Sequence, residues 1–142
     1  MRSLVVLATA VALVGAASAS ASVKSPCKLI TAADATKALG VSAGAGKAET
    51  VGLYQACLYT AGTKGVIVLV RQFSRSNFDK SAKANPGPVV HLNGIGSDAY
   101  SVKGGSAVLV WRNGTEVTVA VSGLGKALNA EEALAKVVAA RL

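Results

Sequence analysis

Acid-base chemistry in this chain would have to start from His91, its single histidine, and from Asp98, the carboxylate nearest to it in sequence. The pair flanks Gly94-Ile95-Gly96, with Ser97 and Ser101 close by, so a small secreted hydrolase built on His91 is one reading of these residues. The surroundings argue against it. No Gly-x-Ser-x-Gly elbow accompanies the serines, and only 7 carboxylates are available to the whole chain. Asp34, Asp79, Glu131 and Glu132 fall at helix starts or on helices, where capping and solvation account for them, which leaves Glu49, Asp98 and Glu116. The chain is therefore read as non-catalytic, and no catalytic residue is assigned. One histidine without a cysteine or carboxylate at ligand spacing makes no zinc site, and neither metal nor cofactor is expected.

Two other clusters point to binding. Between Lys64 and Lys83, five basic residues, Lys64, Arg71, Arg75, Lys80 and Lys83, oppose only Asp79, and Arg71 and Arg75 could hold a phosphate or carboxylate by bidentate contacts. The same charges would equally suit a solvated sheet edge that resists pairing. Leu109 and Trp111 form the second cluster, apolar residues on a strand face that a helix or a ligand must partly cover. Gly94-Ile95-Gly96-Ser97-Asp98-Ala99 matches the spacing of a dinucleotide fingerprint, but extended Tyr100-Ser101-Val102 and then Gly104-Gly105 leave no helix for the glycines to open. A backbone turn is the reading that fits.

The elements that must position these residues are legible in part. Thr31 followed by Asp34 predicts a capped helix that ends at Leu39-Gly40-Val41. After a loop over 42–47, Glu49 to Leu53 and Gln55 to Thr60 alternate as strands, and Val66 to Phe73 reads as a central strand. Ser76 to Ala84 is amphipathic and stops before Asn85-Pro86-Gly87-Pro88. Val89 to Leu92 and Ala99 to Val102 are short strands around the glycine turn. Ser106 to Val121 is a hairpin, because Asn113-Gly114 supplies both positive-φ positions of a two-residue turn; the same turn accounts for the glycosylation sequon Asn113-Gly114-Thr115. Its register puts Arg112 opposite Thr115, Val110 opposite Val117 and Val108 opposite Val119, with Leu109 and Trp111 facing Thr118 and Glu116 on the other side. A closing helix capped at Asn129 runs to Arg141. Consecutive strands on short connections predict an α+β fold, an antiparallel sheet with helices packed on it.

The amino terminus sets the compartment. Met1-Arg2-Ser3, an apolar run from Leu4 to Gly15 and small residues from Ala16 to Ser22 read as a signal peptide over 1–21, leaving 22–142 as one domain. The apolar run is 12 residues long, whereas a bilayer-spanning helix needs about 20, so no transmembrane segment is expected after cleavage. Removing Arg2 leaves 14 basic against 7 acidic residues, a basic protein of about +7. Outside the cell such a charge meets anionic envelope components rather than nucleic acid. In an oxidising compartment Cys27 and Cys57, the only cysteines, are expected to form one disulfide; a redox-active thiol would want a Cys-x-x-Cys that is missing here. Cys27 follows Lys24-Ser25-Pro26, which is not a lipidation context, so no lipid anchor through Cys27 is expected.

Pro26-Cys27-Lys28-Leu29-Ile30-Thr31, Ala35 to Gly40, Cys57 with Tyr59, and Gly94-Ile95-Gly96 leading to Ala99-Tyr100 resemble an uncharacterised actinobacterial family of exported proteins and lipoproteins, a domain of unknown function. The resemblance spans nearly all of the chain after the leader. Tyr59 stands where that family usually has a tryptophan, and Ser97 where it has an acid. The resemblance implies an extracytoplasmic α+β domain with paired cysteines, shaped like Mog1- and PsbP-type sandwiches, without an established activity. The sequence as a whole reads as an exported, non-catalytic domain that binds an envelope protein or an anionic envelope component through Leu109 and Trp111 or through Arg71 and Arg75. A secreted inhibitor presenting the loop Asn85 to Leu92 is the remaining alternative.

Overall fold

The computed structural model describes residues 23–142; the predicted signal peptide lies outside the described residues. A 3-10 turn, Pro26–Lys28, leads into α1 (Ala32–Leu39), then β1 (Lys47–Val51), β2 (Tyr54–Ala61), β3 (Lys64–Gln72), α2 (Arg75–Lys83), β4 (Val89–His91), β5 (Asp98–Val102), β6 (Ala107–Arg112), β7 (Thr115–Ser122) and α3 (Leu128–Arg141). The strands form one antiparallel 7-stranded sheet in the order β1-β2-β3-β7-β6-β5-β4. The fold is α+β, as the strand spacing implied.

Turn chemistry fixes the pairing. Asn113 and Gly114 take φ of 51° and 75°, and the β6–β7 ladder has the register that follows from this turn, Val110↔Val117 and Val108↔Val119. At the other end of the sheet, Gly52 takes φ of 58° in a two-residue turn with Leu53, so Val51 pairs with Tyr54. The expected strand Glu49 to Leu53 is therefore corrected to Lys47–Val51: a glycine at the first central position of a tight hairpin needs no second glycine beside it.

Strand alternation gives the sheet two unlike faces. The first carries Val66, Val68 and Val70 of β3, Val117, Val119 and Val121 of β7, and Val108 and Val110 of β6, all buried under α1, α3 and the 3-10 turn. Each such valine removed from water contributes roughly 1.5–3 kcal/mol. The helices are held by named bonds as well as by packing. Thr31 and Asp34 form a reciprocal capping box at α1, and Gly40 closes it in the left-handed conformation at φ of 69°. Arg141 of α3 donates to Asp34 at 2.7 Å and to the Leu29 carbonyl at 2.9 Å, tying the last helix to the first. Burial alone would raise the Asp34 carboxyl, but the hydrogen bonds from Arg141 and Thr31 outweigh it and hold the group below its ordinary value.

The cysteines are joined. Cys27 in the 3-10 turn is bonded to Cys57, which is fully buried in the middle of β2. Gly46 is what lets the preceding loop lie against this bond: a Cβ there would meet Tyr59 Cζ at 2.6 Å and Cys57 Sγ at 2.7 Å.

The start of α3 corrects a second expectation. Its N-cap is Ala127 rather than Asn129, and no side chain caps it. Glu131, expected on a solvated first turn, has 0% exposure, and its Oε1 accepts the backbone N–H of Val121 at 3.1 Å, one residue past the last β6–β7 pair, Ala107↔Ala120. The carboxyl thus extends the ladder where the neighbouring strand ends. Burial pushes it above its ordinary value of 4.5, with the Val121 hydrogen bond opposing. A raised carboxyl holds its proton longer in the folded chain than in the unfolded one. Its favourable contribution is complete below the unfolded value and is lost as pH rises through the folded one. Glu131→Gln keeps an acceptor for Val121 without the charge. Its melting temperature is expected to rise above that of the parent by a few degrees at neutral pH and to converge with it in acid. A difference that stays constant with pH would show that the carboxyl is not ionised against its surroundings.

Candidate binding face

The second face of the sheet gathers the residues singled out above. Its side chains stand in cross-strand rows. At one end, Arg71 of β3 lies opposite Glu116 of β7, Glu116 opposite Trp111 of β6, and Trp111 opposite Asp98 of β5. The next row runs Ala56, Leu69, Thr118, Leu109, Tyr100, His91. A third, Leu58, Ile67, Ala120, Ala107, is wholly apolar. The Leu109 and Trp111 cluster and the Arg71 cluster are one surface, separated in sequence but adjacent through the β3–β7 and β6–β7 ladders.

Ion pairs and aromatic rings organise the first row. Arg71 Nε donates to Glu116 Oε1 at 2.8 Å, and the guanidinium lies 3.5 Å from the Phe73 ring centroid and 4.6 Å from that of Tyr54. Glu116 is fully buried; the Tyr54 hydroxyl reaches its Oε1 at 3.4 Å, while Oε2 has no hydrogen-bond partner among the described residues. Burial, followed by repulsion from Glu116, raises the phenols of Tyr54 and Tyr100, so both remain protonated beside the carboxylate. Trp111 spends its indole N–H on the Phe73 carbonyl at 2.8 Å and leaves the ring half-buried under the Arg75 guanidinium, 5.4 Å from its centroid.

Helix α2 covers one corner of this face. Its Phe78 is fully buried, with its ring 5.1 Å from that of Tyr100, and its Arg75 bridges Asp79 at 2.9 Å and Asp98 at 2.8 Å. Over β2, β3, β7 and β6 the apolar rows stay half-buried: Leu58, Ile67, Leu69 and Leu109 have neither α1 nor α3 above them. The basic stretch expected to face only Asp79 is in fact also balanced by Glu116 and Asp98, acids brought from distant strands. The hairpin register already placed Glu116 on this face, but sequence spacing alone missed Tyr54, Phe73 and Tyr100 as members of the site, because their neighbours are set by strand order.

Around His91 the geometry is spare. Its Nδ1 lies 3.4 Å from Asp98 Oδ1, while Asp98 Oδ2 is taken by Arg75, and the imidazole is 63% exposed. Ser101 is buried on the first face of the sheet, and Ser97 is exposed with its backbone N–H on the Trp111 carbonyl. No hydroxyl is hydrogen-bonded to His91 among the described residues. Gly96, with φ of 63°, passes so close to β6 that a Cβ would meet Val110 at 2.8 Å, which makes Gly94-Ile95-Gly96 a packed turn. The Asn85 to Leu92 segment contains β4, an edge strand bonded into the sheet, rather than a projecting loop. No group of three or more histidine, cysteine or carboxylate side chains gathers to hold a metal among the described residues, and none of the helices there is long and apolar enough to cross a membrane. Comparison with protein-family models, with curated proteins and with solved structures finds no match to this chain.

Proposed function

We propose that the protein is an exported, non-catalytic domain that binds a ligand or protein partner of the cell envelope through the second face of its sheet. One observation carries this reading: Leu58, Ile67, Leu69 and Leu109 make a contiguous half-buried apolar surface beside an aromatic and ion-paired row. A sheet face of that composition attracts a partner with an apolar contact surface and a polar rim. The leader-like amino terminus and the Cys27–Cys57 bond support an oxidising compartment for the encounter. The test is capture of envelope fractions by the purified protein across a salt titration, which separates charge from apolar contact. Trp111→Ala is expected to weaken retention about thirtyfold, the size of an interface anchor, whereas His91→Ala leaves it unchanged. Retention that survives both Trp111→Ala and Arg75→Ala would move the binding surface elsewhere.

A further inference from the structure

The two edges of the sheet are unlike. β4 has three residues and follows Pro86 and Pro88, features that discourage pairing, whereas β1 has five residues, all exposed, and contains no proline. The geometry points to a second copy of this chain as the partner of β1, joined antiparallel about Ala48 so that two sheets become one.

Three features specify that pairing. The two-residue Gly52–Leu53 turn makes Val51 and Tyr54 a hydrogen-bonded pair, so Glu49 and Lys47 also direct their backbone groups toward β2. Ala48 and Thr50 then direct theirs outward. A two-fold axis at Ala48 places Ala48 opposite its own copy, where the two residues exchange both backbone hydrogen bonds. The same axis sets Lys47 opposite Glu49 of the copy, and Glu49 opposite Lys47, in the non-hydrogen-bonded sites where side chains approach most closely. Moving the axis to Glu49 keeps outward backbone bonds, between Ala48 and Thr50 of the copy, but puts two glutamates face to face at the close non-hydrogen-bonded site. Moving it to Thr50 sets Glu49 against Val51. Only the Ala48 register matches opposite charges, and it does so twice. Neither Lys47 nor Glu49 enters a salt bridge among the described residues, so both are available. Because Lys47 pairs with Leu58 and Glu49 with Ala56, both lie on the second face, which continues from one copy to the next.

Sedimentation velocity of the protein over a wide concentration series tests this. The expected result is a monomer–dimer equilibrium in which Lys47→Glu or Glu49→Lys alone weakens association about tenfold, since each sets like charges opposite one another at both symmetry-related sites. Combining the two substitutions restores opposite charges and with them the parental dissociation constant. Ala48→Pro removes the outward N–H at the axis, leaves the β1–β2 bonds in place and is expected to abolish the dimer, with circular dichroism reporting an intact fold. A protein that stays monomeric throughout, a dimer that the single substitutions leave as tight, or a double variant that fails to recover while folded would each overturn the assignment.

Discussion

Replacing Cys27 and Cys57 together by alanine is expected to lower the unfolding free energy by roughly 3.5–4 kcal/mol, the loop-entropy value for a closure of 30 residues. Against the roughly 5–15 kcal/mol that holds a typical domain together, this is a large share of the total. The position of the bond makes the loss more than a generic crosslink effect. Cys57 lies in the middle of β2 between β1 and β3, and Cys27 begins the segment that places Leu29 and Ile30 in the core. The Tyr59 hydroxyl donates to the Ile30 carbonyl at 2.7 Å, so the bond and this hydrogen bond pin the same stretch over the first face. Without the bond, the 3-10 turn is expected to lose amide protection before the β3–β7 ladder does. Urea unfolding of the oxidised, reduced and doubly substituted forms measures the effect, and a common midpoint for all three would mean that the link constrains nothing.

What could be read from the sequence was what depends on near neighbours. The Thr31–Asp34 capping box, the Gly40 stop and the Asn113-Gly114 turn are interactions within four residues, and the β6–β7 register follows from that turn alone. The Asn129 expectation failed for the converse reason: Glu131 answers to the unpaired N–H of Val121, ten residues away, and that need outweighs a local cap. The candidate face shows the same division. Trp111 opposite Glu116 was legible in the hairpin, but Arg71 opposite Glu116 requires knowing that β3 lies against β7 across 45 residues of chain. An arginine that looks free in sequence is therefore ion-paired in space. Strand order is a property of the whole sheet, so the residues that complete the site, Tyr54 and Tyr100 among them, could not be assembled from local pattern.

Breaking the Arg71–Glu116 pair from one side and from both is expected to give opposite answers. Arg71→Met keeps an apolar stem on the Phe73 ring but leaves the fully buried Glu116 carboxylate with only the Tyr54 hydroxyl at 3.4 Å, a change expected to cost about 3–5 kcal/mol. Glu116→Leu is expected to cost less, because the Arg71 side chain is 19% exposed and its charge can turn to water. The double change Arg71→Met with Glu116→Leu removes both charges from a partly apolar row and is expected to return to within about 1 kcal/mol of the parent. Denaturant unfolding of the four proteins closes the cycle; additive single effects would mean that the two side chains do not depend on one another. The double variant also separates stability from binding. If it folds like the parent yet loses envelope retention, the pair contributes polar contacts to the partner; if retention survives, the apolar rows beside it carry recognition and the pair serves only to bury a charge safely.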